Sequence, residues 1–205
     1  MKAELVTAEN IDILRVFYYR YPWHSWMAKA TRDYQRCFGV NQVQANHLSV
    51  QLGSKVYEVS LEGTTCYDYD DRLLMNPELI AFYECDISDL PNDAKAAARF
   101  TLDYDVLCDR KLATTDCMRY LRQWLFRGNK RTAFDYKLDF SLEPGTIDQR
   151  KFSLPYTCAT QAAFVFNRLF GVEPIADSHL PTTIMWMTLA LSDSSVGNFL
   201  TTIDT

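Results

Sequence analysis

Three residues far apart in the chain carry side chains that could act together on a carbonyl carbon: Cys158, His47 and Glu58. A thiol becomes a strong nucleophile when it loses its proton. It then needs a base within reach, a group that orients that base, and backbone N–H donors for the oxyanion. Cys158 opens the run Cys-Ala-Thr-Gln-Ala-Ala-Phe-Val-Phe, and the apolar spacing predicts a helix over Thr157–Phe170 closed by Gly171. A thiol at a helix start feels the positive end of the macrodipole, which favours thiolate. The first free N–H groups of that helix could also hold an oxyanion.

His47 lies in Asn46-His-Leu-Ser-Val-Gln-Leu-Gly-Ser-Lys-Val-Tyr-Glu-Val-Ser60, where two alternating flanks meet at Gly53-Ser54. This pattern predicts a β-hairpin with a two-residue turn. In that register Ser49 faces Glu58 and His47 faces Ser60. His47, Ser49, Glu58 and Ser60 then share one polar face, with Leu48, Val50, Tyr57 and Val59 on the other. Glu58 falls one diagonal step from the imidazole and could fix its tautomer and stabilise its cation. Ser49, Gln51 and Ser60 are alternatives for that role. Read alone, each residue has a plainer explanation. Cys158 is then a small buried residue, His47 a satisfied strand histidine and Glu58 a solvated one. His24 and His179 read as structural, and so do Asp135 and Asp139.

The elements that must position these residues follow from periodicity. Ile11–Tyr19 predicts a strand and Trp23–Cys37 a helix, with Leu79–Cys85 a third strand. Asp93–Leu102 and Cys117–Arg127 predict helices, Phe134–Phe140 is short and aromatic, and Thr182–Leu191 is open between strand and helix. Strands come early and helices surround them without regular alternation. The expected fold class is therefore α+β, with an antiparallel sheet or half-barrel packed against helices in a single domain over 1–205.

The totals bound the function. The chain has 205 residues, 48% hydrophobic and 14% aromatic, which suits one globular domain with a full core. A net charge of -5 argues against general nucleic-acid binding. Arg119, Arg122, Arg127, Lys130 and Arg131 read as the solvated face and end of a helix. The six cysteines form no C-x-x-C pair and read as free thiols, in a protein made in the cytoplasm. No phosphate-binding glycine motif occurs. Asp68, Asp70 and Asp71 lack EF-hand spacing and read as a polar loop. The expectation is no cofactor, no metal and no integral membrane segment. Nothing in the sequence fixes the oligomeric state.

The order of His, acidic residue across a hairpin, and distant Cys opening a helix resembles the circularly permuted papain-like hydrolases of the NlpC type. These are related to the lecithin retinol acyltransferase-like proteins. Asn46–Glu58 resembles the family stretch "sHvgiylGdgkvvEa", one residue shorter at the turn. Phe134–Phe140 resembles "YDf.fd", Tyr156–Thr160 resembles "yyCtEl", and Ser25–Ala30 resembles "s..skaIr". Thr160 stands where the family usually has Glu, and Ile11-Asp12 replaces its opening glycine-aspartate. The resemblance implies a papain-like fold with Cys158 as nucleophile, His47 as base and Glu58 as orienting group. It implies cleavage of peptide, isopeptide or related amide or ester bonds through an acyl-enzyme, so the expected partner is a peptide or acyl substrate. A non-catalytic structural or interaction protein on the same fold, such as a phage virion or tail component, and an acyltransferase are the alternatives.

Overall fold

The computed structural model describes residues 11–21, 45–60, 62–111, 157–172 and 196–201, together with Lys29, Arg32, Arg36, Met187, Thr188 and Leu191. Its framework is a six-stranded antiparallel sheet with two α-helices, an α+β arrangement. The strands are β1 (Ile13–Tyr19), β2 (His47–Leu52), β3 (Lys55–Val59), β4 (Thr64–Asp68), β5 (Leu79–Asp86) and β6 (Asn198–Thr201). The helices are α1 (Asn92–Leu107) and α2 (Cys158–Phe170). Strand order across the sheet is β4-β3-β2-β1-β5-β6.

The hairpin forms as its residues dictate. Leu52 pairs with Lys55 and Val50 with Tyr57, which leaves Gly53-Ser54 as the two-residue turn. Gly53 has φ 60°, the left-handed value that a hairpin turn of type II′ requires at its first central position. β1 sits at the centre and pairs Tyr19 with His47 on one side and Phe17 with Phe82 on the other.

Alternation divides the sheet into two faces. Leu14, Val16, Tyr18, Leu48, Val50, Leu52, Tyr57, Val59, Ala81 and Tyr83 form the main core with Ala98 and Leu102 of α1 and Ala159, Ala162, Phe164 and Val165 of α2. The opposite face carries a smaller aromatic cluster of Phe17, Tyr19, Val56 and Leu79, flanked by Tyr21, Tyr67, Tyr69 and Phe82. Ser49 and Gln51 on that face are also buried. The polar side of the hairpin is therefore an interior surface, where every polar group needs a partner. Arg15 supplies several of these contacts. Its guanidinium pairs with Glu84, donates to Gln51 Oε1 at 3.1 Å and lies over the Tyr69 ring.

Some expected elements differ in extent. α1 runs to Leu107, a turn and more past the expected Leu102, where exposed Asp103 and buried Asp105 both find partners. Asp103 accepts from Tyr57 Oη at 2.6 Å, and Asp105 pairs with Arg110 at 3.1 Å. The expected polar loop around Asp68 is built as the end of β4 followed by a 3₁₀ turn over Asp71–Met75, with Asp70 capping Arg72 N–H. Met187, Thr188 and Leu191 are helical, which settles their part of the Thr182–Leu191 alternative. The expected helix Trp23–Cys37, apart from helical Lys29, Arg32 and Arg36, lies outside the described residues. So do Cys117–Arg127 and Phe134–Phe140, with the Arg119–Arg131 basic residues.

α2 has conventional ends. Thr157 caps it, its hydroxyl accepting from Thr160 N–H at 3.2 Å. Gly171 closes it at φ 66°, donating to Asn167 O at 2.8 Å. An alanine at 171 meets no atom within 4 Å, so its cost is purely conformational. Gly171→Ala is expected to lower stability by about 1 kcal/mol, seen as a lower urea midpoint at unchanged slope.

Candidate active site

His47 is the first residue of β2, Glu58 is on β3, and Cys158 is the first residue of α2. Carrying the hairpin register one residue past Val50–Tyr57 sets Ser49 opposite Glu58, one diagonal step from His47. Along that diagonal His47 Nε2 stands 2.9 Å from Glu58 Oε1. The Cys158 side chain acts on the same imidazole and raises its pKa. Residues 47, 58 and 158 thus form one contiguous set, with His47 in the middle.

The remaining polar residues of the hairpin are engaged elsewhere. Ser49 Oγ donates to Tyr19 Oη at 3.3 Å, and Gln51 Nε2 donates to Gly53 O at 2.7 Å. Ser60 closes the turn into β4, donating to Gly63 O and accepting from Glu62 and Gly63 N–H groups. Glu58 is the member of that face which meets the imidazole. His24, His179, Asp135 and Asp139 lie outside the described residues.

Two neighbours were not anticipated from sequence. Asn46 clamps the chain beside the site, accepting from Tyr21 N–H at 3.1 Å and donating to Tyr21 O at 3.0 Å. This sets the Tyr21 ring 5.5 Å from the His47 ring and nearly parallel to Tyr19, with the Tyr19 and Tyr21 centroids 5.3 Å apart. An Asn immediately before a strand histidine was the available signal. The second neighbour is Tyr67, whose hydroxyl faces Glu58 Oε2 at 3.5 Å.

Burial pulls the His47 pKa down, but the Cys158 and Glu58 hydrogen bonds and charges outweigh it, and the group is pushed up to about 9. Glu58 is held below its usual range, first by the His47 hydrogen bond and against the effect of burial. The signs fix a stability window. Raised His47 contributes stability that is complete below its ordinary 6.5 and is lost as pH rises through about 9. Depressed Glu58 contributes stability present above its ordinary 4.5 and lost as pH falls through its lower folded value. Glu58→Gln is therefore expected to cost most stability between these two ordinary values and progressively less as the buffer approaches about pH 9. Urea unfolding of the two proteins across that range measures it.

Comparison with family models, curated proteins and solved structures gives no match. The chemistry must be read from these side chains themselves.

The end of α2 offers donors beside the sulfur. Thr160 N–H goes to Thr157 Oγ1 and Gln161 N–H to Thr157 O at 3.0 Å. Among the described residues nothing takes the N–H groups of Cys158 and Ala159, the first two of the helix. Thr157 Oγ1 also meets Thr160 Oγ1 at 3.0 Å, so the cap is doubly held. Thr157→Ala is expected to cost about 1 kcal/mol and to loosen this end of the helix, seen as faster amide exchange at Thr160.

A buried polar bridge anchors the same helix one turn on. Gln161 Nε2 donates to Asp105 Oδ2 at 3.1 Å, and Asp105 Oδ1 pairs with Arg110 Nη1 at 3.1 Å. The Arg110 carbonyl accepts from Thr64 Oγ1 at 2.6 Å. α1, α2 and β4 are thereby tied together through Asp105 and Arg110. Cys66, Cys85, Cys108 and Cys158 are free thiols, while Cys37 and Cys117 lie outside the described residues. Among the described residues no group of His, Cys, Asp and Glu is arranged to hold a metal ion, and no helix is long and apolar enough to cross a membrane.

Proposed function

We propose that the protein is a cysteine hydrolase of papain-like, permuted NlpC type, an amidase or endopeptidase that works through an acyl-enzyme on Cys158. The observation that carries this reading is the His47 imidazole bracketed by the Cys158 thiol and the Glu58 carboxylate. With Nε2 facing Glu58, Nδ1 is left to take the thiol proton. The sulfur attacks the substrate carbonyl carbon, and the carbonyl oxygen takes the negative charge against the Cys158 and Ala159 N–H groups. As the tetrahedral adduct collapses, imidazolium returns the proton to the departing amine or alkoxide. Neutral imidazole then takes a proton from water, whose oxygen attacks the acyl carbon. The second collapse expels the thiolate and regenerates the pair. Glu58 keeps the ring oriented and balances its positive charge, and it need not take the proton itself.

An activated ester tests this directly. Incubation with p-nitrophenyl acetate is expected to give a burst of nitrophenol and one acetyl group on the Cys158 peptide by mass spectrometry, absent from Cys158→Ser. Acetylation scattered over lysines, with none on Cys158, contradicts the reading. An added primary amine that diverts the acetyl group faster than water takes it identifies an acyltransferase instead.

One observation favours a second reading. Cys158 is only 5% exposed and His47 only 6%. A sealed Cys–His–Glu cluster that merely braces α2 against the sheet, in a non-catalytic structural protein, has the same burial. Such a protein leaves the ester untouched.

A further inference from the structure

We propose that Tyr67 is a positioning residue of this site: its hydroxyl holds one oxygen of Glu58 so that the other stays on the His47 ring. The inference rests on the reading of Cys158, His47 and Glu58 as the reacting set. It adds a fourth member that touches neither substrate nor sulfur.

The sheet builds this arrangement by repeating one step. Glu58 lies diagonally across from His47 between β2 and β3. Tyr67 lies diagonally across from Glu58 between β3 and β4, since Glu58 pairs with Thr65 and Val56 with Tyr67. Val56, Glu58, Thr65 and Tyr67 therefore share a face, and long side chains on adjacent diagonals reach one another. The two carboxylate oxygens are divided between neighbours. Oε1 stands 2.9 Å from His47 Nε2, and Oε2 stands 3.5 Å from Tyr67 Oη. A carboxylate with one oxygen loose can rotate about its last bond and leave the ring. A second contact on the far oxygen removes that freedom.

The chemistry of the pair gives the contact its direction. Burial pushes the Tyr67 hydroxyl well above the ordinary tyrosine range, with the Glu58 charge next in effect. The phenol therefore keeps its proton at every working pH and acts toward Glu58 as a donor. The 3.5 Å separation is long for an O–H to carboxylate bond, as contacts at substrate-free sites commonly are. The ring is also fixed: β4 holds its backbone, and the phenol packs beside the Phe17, Tyr19, Val56 and Leu79 cluster. Among the described residues, the groups that face the His47–Glu58 pair from the other elements are Cys158 of α2 and Tyr19 and Tyr21 of the β1 side.

Tyr67→Phe keeps the ring and removes only the hydroxyl. The experiment measures Cys158 alkylation by iodoacetamide at neutral pH in four proteins: wild type, Tyr67→Phe, Glu58→Gln and the double variant. Tyr67→Phe alone is expected to slow Cys158 by about fivefold. In the Glu58→Gln background the same change is expected to alter the rate by less than about twofold, because Tyr67 acts only through that carboxylate. The His47 ring resonance, followed by NMR, is expected to titrate lower in Tyr67→Phe than in wild type. Equal slowing in both backgrounds, no slowing at all, or an unmoved His47 titration overturns the proposal. If wild-type Cys158 reacts no faster than Cys66 and Cys108, the hydrolase reading itself fails. If Cys158 is fast and needs Glu58 but ignores Tyr67, only this inference fails.

Discussion

Replacing His47 with alanine is expected to slow Cys158 alkylation about 30-fold near pH 6, with no comparable change at the other thiols. The size follows from the loss of the group that takes the thiol proton. Positioned acid–base assistance contributes roughly a hundredfold or more, and part of the activation survives in His47→Ala because the start of α2 still faces the sulfur. The pH dependence is the sharper mark. The wild-type advantage holds while His47 stays protonated and is lost as pH rises through about 9, where the imidazolium gives up its proton. The two rate profiles therefore converge in strong base. Peptide mapping after timed quenching reads Cys158 separately from exposed Cys66 and Cys108. Parallel profiles for wild type and His47→Ala refute a shared proton.

The second large effect falls on stability. Asp105 and Arg110 are 1% and 3% exposed, and each is the other's ionic partner inside the fold. Removing the carboxylate by Asp105→Ala takes from the buried Arg110 guanidinium its 3.1 Å ionic contact with Asp105 and from Gln161 the acceptor of its 3.1 Å hydrogen bond. The expected loss is about 4 kcal/mol. For a chain of this length that lowers the melting temperature by about 10 °C. The cost belongs to the buried charge and not to the ion pair as such. The double variant Asp105→Ala/Arg110→Met is therefore expected to recover most of it. Differential scanning calorimetry of the three proteins separates the cases. If the double variant is no better than Asp105→Ala, the energy resides elsewhere. Because Gln161 is one turn beyond Cys158, the single variant is also expected to weaken the definition of the α2 start that holds the sulfur.

The parts of the fold that were legible in the sequence were those with local causes. The hairpin followed from two alternating flanks and a Gly-Ser turn, and its register placed Glu58 diagonal to His47 before any coordinates. Helix α2 followed from an apolar run closed by Gly171, with Thr157, read as its first residue, standing just outside it as the cap. Strand β4 was not legible. It is an edge strand with Thr65, Cys66 and Asp68 exposed, so it has no apolar alternation to announce it. The four-residue β6 at the other edge is equally silent, because its register with β5 is a tertiary fact. The last turn of α1 lies beyond the expected end at Leu102, and its Asp103 and Asp105 are held by Tyr57 and Arg110, partners that are distant or unmarked in the sequence pattern.

The candidate site divides in the same way. Cys158, His47 and Glu58 carry residue types and positions that suggest joint chemistry. Tyr67 depended on the unseen β4 pairing and could not be found by inspection. Asn46 holds Tyr21 through the Tyr21 backbone, so the tyrosine carries no mark of the contact in its residue type and only the Asn before His47 hints at it. The burial of Ser49 and Gln51 was also unexpected, since a polar hairpin face ordinarily reads as solvated.

The titration of the His47 ring, followed by NMR in wild type and in Cys158→Ser, gives the most direct reading of the Cys158–His47 pair. A ring that titrates near about 9 in wild type and lower in Cys158→Ser is the result expected here. The same titration in both proteins, or a wild-type ring that titrates at its ordinary 6.5, would mean that the sulfur and the imidazole do not act on one another.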